Sequence, residues 1–191
     1  MESVLDRVIK QNTENVNLLK TKDYNIFSVL QIQSKEVLIC RMIADLLNPR
    51  GQHGAGAEYL KIFLRDCLGM EKMDTKLADQ AIVTAEYAID DERRIDIVIE
   101  MGSYFLPIEV KIYAADQKSQ CFDYYQYAKR RDAQAKVYYL TLDGHRPGKD
   151  STSSGSQSVP EEDIVCLSFR EHILNWLKAC KSCENTGMVP I

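Results

Sequence analysis

Through the first third of the chain, apolar residues return every three to four positions, the period of a helix with one buried stripe. Val4, Leu5, Val8, Ile9, Val16 and Leu19 predict a first helix, broken around Lys22-Asp-Tyr-Asn25. A second runs from about Ser34, a candidate N-cap, to Leu47 and stops at Asn48-Pro-Arg-Gly51, where Pro and Gly cannot continue it. A third covers about Ala55 to Leu68. The period then changes. Ala81–Ile89, Arg94–Glu100 and Tyr104–Ile112 are short, rich in Val, Ile and Tyr, and separated by Asp90-Asp-Glu92 and Met101-Gly-Ser103, which predicts an antiparallel meander. A helix over Asp116–Arg131 and a strand over Lys136–Leu142 add a strand-helix-strand crossover. Asp143–Glu162, with Gly144, Pro147, Gly148 and a Ser-rich run, reads as a mobile loop, followed by a strand Ile164–Leu167 and a helix Phe169–Ala179.

The 191 residues suit one domain with a real core. Apolar runs end in charge far short of the roughly 20 residues that cross a bilayer, and the acidic N-terminus is unlike a signal peptide, so a cytosolic protein without membrane contact is expected. The ending at Met188-Val-Pro-Ile191 lacks a polar tail and reads as a shortened chain. Six scattered cysteines fit buried small residues better than a disulfide framework; Cys180-x-x-Cys183 alone is weak evidence for zinc. With 24 Lys and Arg against 28 Asp and Glu, the net charge is -4, which excludes a generally basic nucleic-acid-binding surface. Any contact with nucleic acid must be local or mediated by a metal.

The chemistry concentrates in Arg94-Ile-Asp-Ile-Val-Ile-Glu100 and Phe105-Leu-Pro-Ile-Glu-Val-Lys-Ile112. Strand alternation puts Ile95, Ile97 and Ile99 on one side and Asp96, Val98 and Glu100 on the other. Likewise Glu109 and Lys111 project together, opposite Ile108, Val110 and Ile112. Across an antiparallel pair Asp96 and Glu109 come close enough to bind one cation, unless they simply form the solvated face of a hairpin. On the following helix Gln117, Gln120 and Tyr124 share a face pointing back at the strand ends. Glu36 precedes Ile39, Cys40, Ile43 and Leu47 on or beside the stripe its helix should bury. A buried carboxylate asks for a partner, whereas a solvated one would merely favour the helix dipole.

These residues together resemble the PD-(D/E)xK nuclease superfamily. Asp96, a 12-residue spacer and Glu109-Val-Lys111 look like its D-x(n)-(D/E)-x-K core, with Ile95 where the nominal Pro would be. Gln120-Cys-Phe-Asp-Tyr124 is similar to the Q-x-x-x-Y element of RecB-type members, and Glu36 matches the acidic residue of the family's early helix. Asn48 to Gly56 resembles a loop of a bacterial branch. The resemblance spans roughly residues 32 to 142 and implies an α/β, restriction-endonuclease-like fold: a central mixed β-sheet flanked by helices, with an N-terminal helical segment.

It further implies a magnesium- or manganese-dependent nuclease that hydrolyses DNA phosphodiesters, in bacterial defence or DNA processing, with a homodimer left open. Asp96, Glu109 and the Val110 carbonyl would offer oxygens to the metal. Lys111 would orient or help deprotonate the attacking water, and Glu36 would hold a second metal or its water shell. Gln117, Gln120 and Tyr124 would hydrogen-bond Lys111, the ligands or a phosphate. The alternatives are a catalytically silent nucleic-acid-binding or scaffolding module and a hydrolase of another phosphoester. Among lesser candidates, Lys118, Lys129, Arg130 and Arg131 are phosphate contacts or solvated charge. His53 is a turn cap or a substrate contact, Tyr113 a stacking platform or cleft wall, and Trp176 a core residue.

Overall fold

Five strands form one mixed sheet in the computed structural model, which describes residues 35–185. The expected helix Val4–Leu19, the Ser34 cap and the final Met188–Ile191 lie outside these residues. In chain order the elements are α1 (Glu36–Leu47), α2 (Glu58–Asp66), α3 (Thr75–Asp79), β1 (Ile82–Ala88), β2 (Arg94–Met101), β3 (Tyr104–Lys111), α4 (Gln120–Arg131) and β4 (Val137–Thr141). There follow α5 (Lys149–Thr152), β5 (Ser153–Ser154), β6 (Gln157–Ser158), a 3-10 turn (Glu161–Asp163), β7 (Ile164–Ser168), a π-helical turn (Phe169–Ile173) and α6 (Leu174–Asn185). The sheet order is β1-β2-β3-β4-β7. β1, β2 and β3 pair antiparallel, whereas β3-β4 and β4-β7 pair parallel, so the meander and the crossover are both present.

Helices cover both faces, which is why β3 and β4 are buried almost throughout. On one face Cys40, Ile43, Leu47, Leu60, Phe63 and Trp176 of α1, α2 and α6 pack on Ile97, Ile99, Ile108, Val110 and Leu140. On the other, Cys121, Tyr124 and Ala128 of α4 pack on Ile95, Val98, Phe105, Val137 and Tyr139.

One expected face assignment is corrected. Ile95 joins Val98 in the α4 layer instead of Ile97 and Ile99. Strict alternation fails there because the ladder is interrupted. Glu86, between the pairs Ala85↔Ile97 and Tyr87↔Ile95, takes φ 54°, and the β2-β3 register stops at Ile97↔Ile108, one residue short of Asp96 and Glu109. β2 thus parts from β3 at Asp96.

Other boundaries differ, among them the last helix, expected over Phe169–Ala179, which opens with the π-helical turn and runs on to Asn185. The helix expected from Ala55 starts at Glu58, because Gly54 and Gly56 sit at φ 72° and 59° and keep the preceding segment in turns. The helix expected from Asp116 starts at Gln120, after Ser119 at φ 57°. Asp116 is spent outside it, accepting from Gly148 N–H (2.7 Å) and the Tyr139 hydroxyl (2.7 Å). The stretch 143–162, read as loop, contains α5, the β5-β6 hairpin turning through Gly155 (φ 61°) and the 3-10 turn. Val159 and Ile164 close over Phe122, and Ser119 Oγ donates to the Ser153 carbonyl. The short α3, capped by the Asp74 side chain, was not anticipated.

Candidate active site

Where β2 leaves β3, the Val110 N–H donates to Asp96 Oδ2 (2.8 Å). A side chain here does the work of the lost strand partner. In an extended strand a residue's N–H and C=O point to the same side, so the Val110 carbonyl also faces Asp96. Beside it Glu109 is 1% exposed, and neither of its oxygens accepts a hydrogen bond. Lys111 Nζ lies 2.7 Å from Glu109 Oε1, an ion pair whose angles fall short of a hydrogen bond, and Lys111 is 8% exposed. Burial and the neighbouring Asp96 push the Glu109 carboxyl up to about 8, against the opposing pull of Lys111. Burial also raises Asp96, more than the Val110 N–H and Lys111 lower it. For Lys111 burial acts downward, but Glu109, Asp96 and Glu36 outweigh it and hold the ammonium form.

Glu36, at the start of α1, receives three backbone donors on a single oxygen. Ile112 (2.7 Å), Tyr113 (2.7 Å) and Ala114 (3.0 Å) all donate to Oε1. Burial alone would raise this carboxyl, but the three N–H groups and Lys111 bring it below its ordinary value. The partner that a half-buried Glu36 asked for is therefore the turn directly after Lys111.

The three residues expected on one helix face divide. Gln117 precedes α4 and its side chain accepts from Arg93 (2.9 Å). Gln120 and Tyr124 do lie on α4, and Gln120 Nε2 donates to the Tyr124 hydroxyl (3.0 Å), which itself donates to the Arg94 carbonyl. The expected bonds to Lys111 or the ligands are thus replaced by a tie to the backbone just ahead of Asp96. Burial raises the Tyr124 hydroxyl, which keeps its proton for that bond. Arg93 strengthens the tie through Lys118 O (2.6 Å) and Asp123 Oδ2 (3.1 Å).

All seven side chains, Glu36, Asp96, Glu109, Lys111, Gln117, Gln120 and Tyr124, line one cleft of about 280 Å³, with Glu92, Arg93 and Arg94 at its rim. Arg93 and Arg94 were missed in the sequence; their signal was two cations directly ahead of a strand carrying Asp96. Larger hollows exist, about 340 Å³ beside Met70, Lys72 and Tyr104 and about 450 Å³ beside Arg146, Lys149 and Ile164. Their carboxylates, Glu71 and Glu161, are exposed, so neither hollow brings buried carboxyl groups together as the cleft does.

The remaining candidates resolve individually. His53 caps its loop, with Nε2 3.1 Å from the Asn48 carbonyl, Nδ1 accepting from Ala55 N–H, and the ring stacked on Tyr59. Trp176 is buried and donates to the Tyr59 carbonyl. Lys129 pairs with Asp163, Arg131 pairs with Glu100 and covers Tyr87 and Phe105, and Arg130 lies over Tyr127. Lys118 is exposed, as is Tyr113 at 66%. Cys180 and Cys183 both sit on α6, the former buried. Among the described residues, no three His, Cys, Asp or Glu side chains converge as a ready-made cage. The carboxyl groups deepest in the cleft are those of Asp96 and Glu109.

A family model for the PD-(D/E)XK nuclease superfamily matches residues 24–188. The match spans most of the chain, which belongs to that superfamily, and the mixed sheet flanked by helices agrees with it. Comparisons with curated proteins and with solved structures return no match. No helix among the described residues is long and apolar enough to cross a membrane.

Proposed function

We propose that the chain is a magnesium- or manganese-dependent nuclease that hydrolyses DNA phosphodiesters at the Asp96-Glu109-Lys111 cleft. The observation that carries this reading is Glu109. Both its oxygens are buried without a hydrogen bond beside Asp96 under an open cleft, and the ion pair from Lys111 to Oε1 sets one cation against two neighbouring carboxyl groups, a costly arrangement unless a further cation is to be held there. Asp96, Glu109 and the Val110 carbonyl are the donors that would hold it. Magnesium or manganese, when bound, supplies Lewis acidity that polarises a phosphate and acidifies a water.

The chain's own groups do the rest. Lys111, kept as an ammonium by its carboxylates, donates hydrogen bonds to the attacking water or a phosphate oxygen and offsets charge developing on phosphorus. Glu36 fixes the turn that follows Lys111; Oε2 is the oxygen left for a second cation or its water shell. Gln120 and Tyr124 keep Asp96 in place through the Arg94 carbonyl.

The test is cleavage of plasmid, single-stranded DNA and RNA with manganese, by wild type and Lys111→Ala. Cleavage by wild type and a loss of roughly 100-fold or more in the variant are expected, since a cation needed in the transition state is removed. Cleavage undiminished in Lys111→Ala would move the chemistry elsewhere. Binding without cleavage by wild type would replace this reading by a catalytically silent binding module.

A further inference from the structure

The cleft is lined by three cations, and two of them are already engaged. Lys111 pairs with Glu109, and Arg93 is spent on Gln117, Lys118 O and Asp123. The third is Arg94. The residue lines the same cleft and is exposed, and its side chain has no hydrogen-bond or ion-pair partner among the described residues, although Glu36, Glu92, Asp96 and Glu109 share that lining. An arginine that shares a cleft with four carboxyl groups and pairs with none of them is available to an incoming anion.

Its backbone is not free in the same way. Arg94 pairs with Ala88 in the β1-β2 ladder, and its carbonyl accepts the Tyr124 hydroxyl. The guanidinium is therefore carried on a fixed base two residues ahead of Asp96. A guanidinium offers a planar fork of donors that fits two oxygens of one phosphate, which a point charge cannot match. From this placement we infer that Arg94 anchors a backbone phosphate of the nucleic acid at the rim of the cleft, holding the strand so that a neighbouring phosphodiester lies over Asp96 and Glu109. The inference rests on the nuclease reading above and adds the residue that seats its substrate.

The test is binding, measured in the Lys111→Ala protein so that hydrolysis is slow. Fluorescein-labelled DNA, as duplex and as single strand, is titrated with manganese at a series of salt concentrations. Arg94→Ala should weaken binding roughly tenfold, the loss of one charged hydrogen-bonding contact. It should also flatten the dependence of log affinity on log salt by about 0.9 on duplex or about 0.7 on single strand, one phosphate's worth. Arg94→Lys keeps the charge and should keep the slope while losing part of the affinity. Arg65→Ala, whose arginine pairs with Asp66 outside the cleft, should change neither. A merely structural role would not move the salt slope.

Parent-like affinity and slope in Arg94→Ala would overturn this inference alone, as would a slope lost equally in Arg94→Lys. Failure of wild-type protein and of the Lys111→Ala parent alike to bind either probe would bring down the nuclease reading, and the anchor with it.

Discussion

Burial and Asp96 raise the Glu109 carboxyl from 4.5 to about 8, so in the folded, metal-free chain it holds its proton to higher pH than in the unfolded chain, and its full charge opposite Lys111 develops as that proton leaves. Its contribution to stability is therefore full below 4.5 and is lost as pH rises through about 8. Metal-free protein should melt at progressively lower temperature across that interval, and Glu109→Gln should remove most of the slope. Calorimetry in chelator at several pH values checks this; an unchanged slope in Glu109→Gln would refute it. The convergence of Asp96, Glu109 and Lys111 on one cleft was legible from three polar positions set among isoleucines on neighbouring strands, although β2 parts from β3 at Asp96 and alternation misplaced Ile95. Two features were not. The partners of Glu36 lie 76 to 78 residues away, beyond any local period. Arg93 and Arg94 adjoin a turn, where pattern alone does not separate a solvated cation from one lining a cleft.

At the scale of elements, the strands and crossover were readable because burial on both faces demands uninterrupted Val, Ile, Leu and Tyr, as in β4. Element ends were set instead by long-range polar bonds. Asp116 continues the helical pattern by composition, yet Gly148 and Tyr139 claim its carboxylate and α4 begins four residues later. The β5-β6 hairpin escaped because four residues of ladder have no period to detect, and the break in β2 because alternation assumes an intact ladder. The tie from α4 to β2 is the functional counterpart of these bonds. Gln120 and Tyr124 hold the Arg94 carbonyl, and Asp96 follows two residues on. Tyr124→Phe keeps the ring in its core but leaves that carbonyl and the Gln120 amide short of a partner. A loss of about 1–2 kcal/mol is expected in denaturant unfolding. Hydrolysis should slow by roughly 10-fold as Asp96 loses its support. Stability and rate both at wild-type values would mean the tie positions nothing.

For the whole molecule the question is how a chain of net charge -4 receives a polyanion. Once Glu109 has released its proton the cleft repeats the imbalance, with Glu36, Glu92, Asp96 and Glu109 against Arg93, Arg94 and Lys111, and the lysine paired with Glu109. At a screening length of about 8 Å such carboxylates repel a phosphate strand at close range. Nucleic-acid binding should therefore be conditional on the divalent cation, and the two contributions of Asp96 should separate by sign. In the Lys111→Ala background and in chelator, Asp96→Asn removes a negative charge and should bind DNA at least as well as its parent. With manganese added, the parent should gain affinity while Asp96→Asn gains little, because a ligand is gone. The curves cross. The parent's gain should also grow as pH rises, since Glu109, without the lowering pull of Lys111, gives up its proton only at higher pH. Fluorescence anisotropy across a manganese titration reads all of this in one experiment. A gain in Asp96→Asn equal to the parent's would show that the cation acts elsewhere, on the strand itself or at another surface, and Asp96 would lose its place as a ligand.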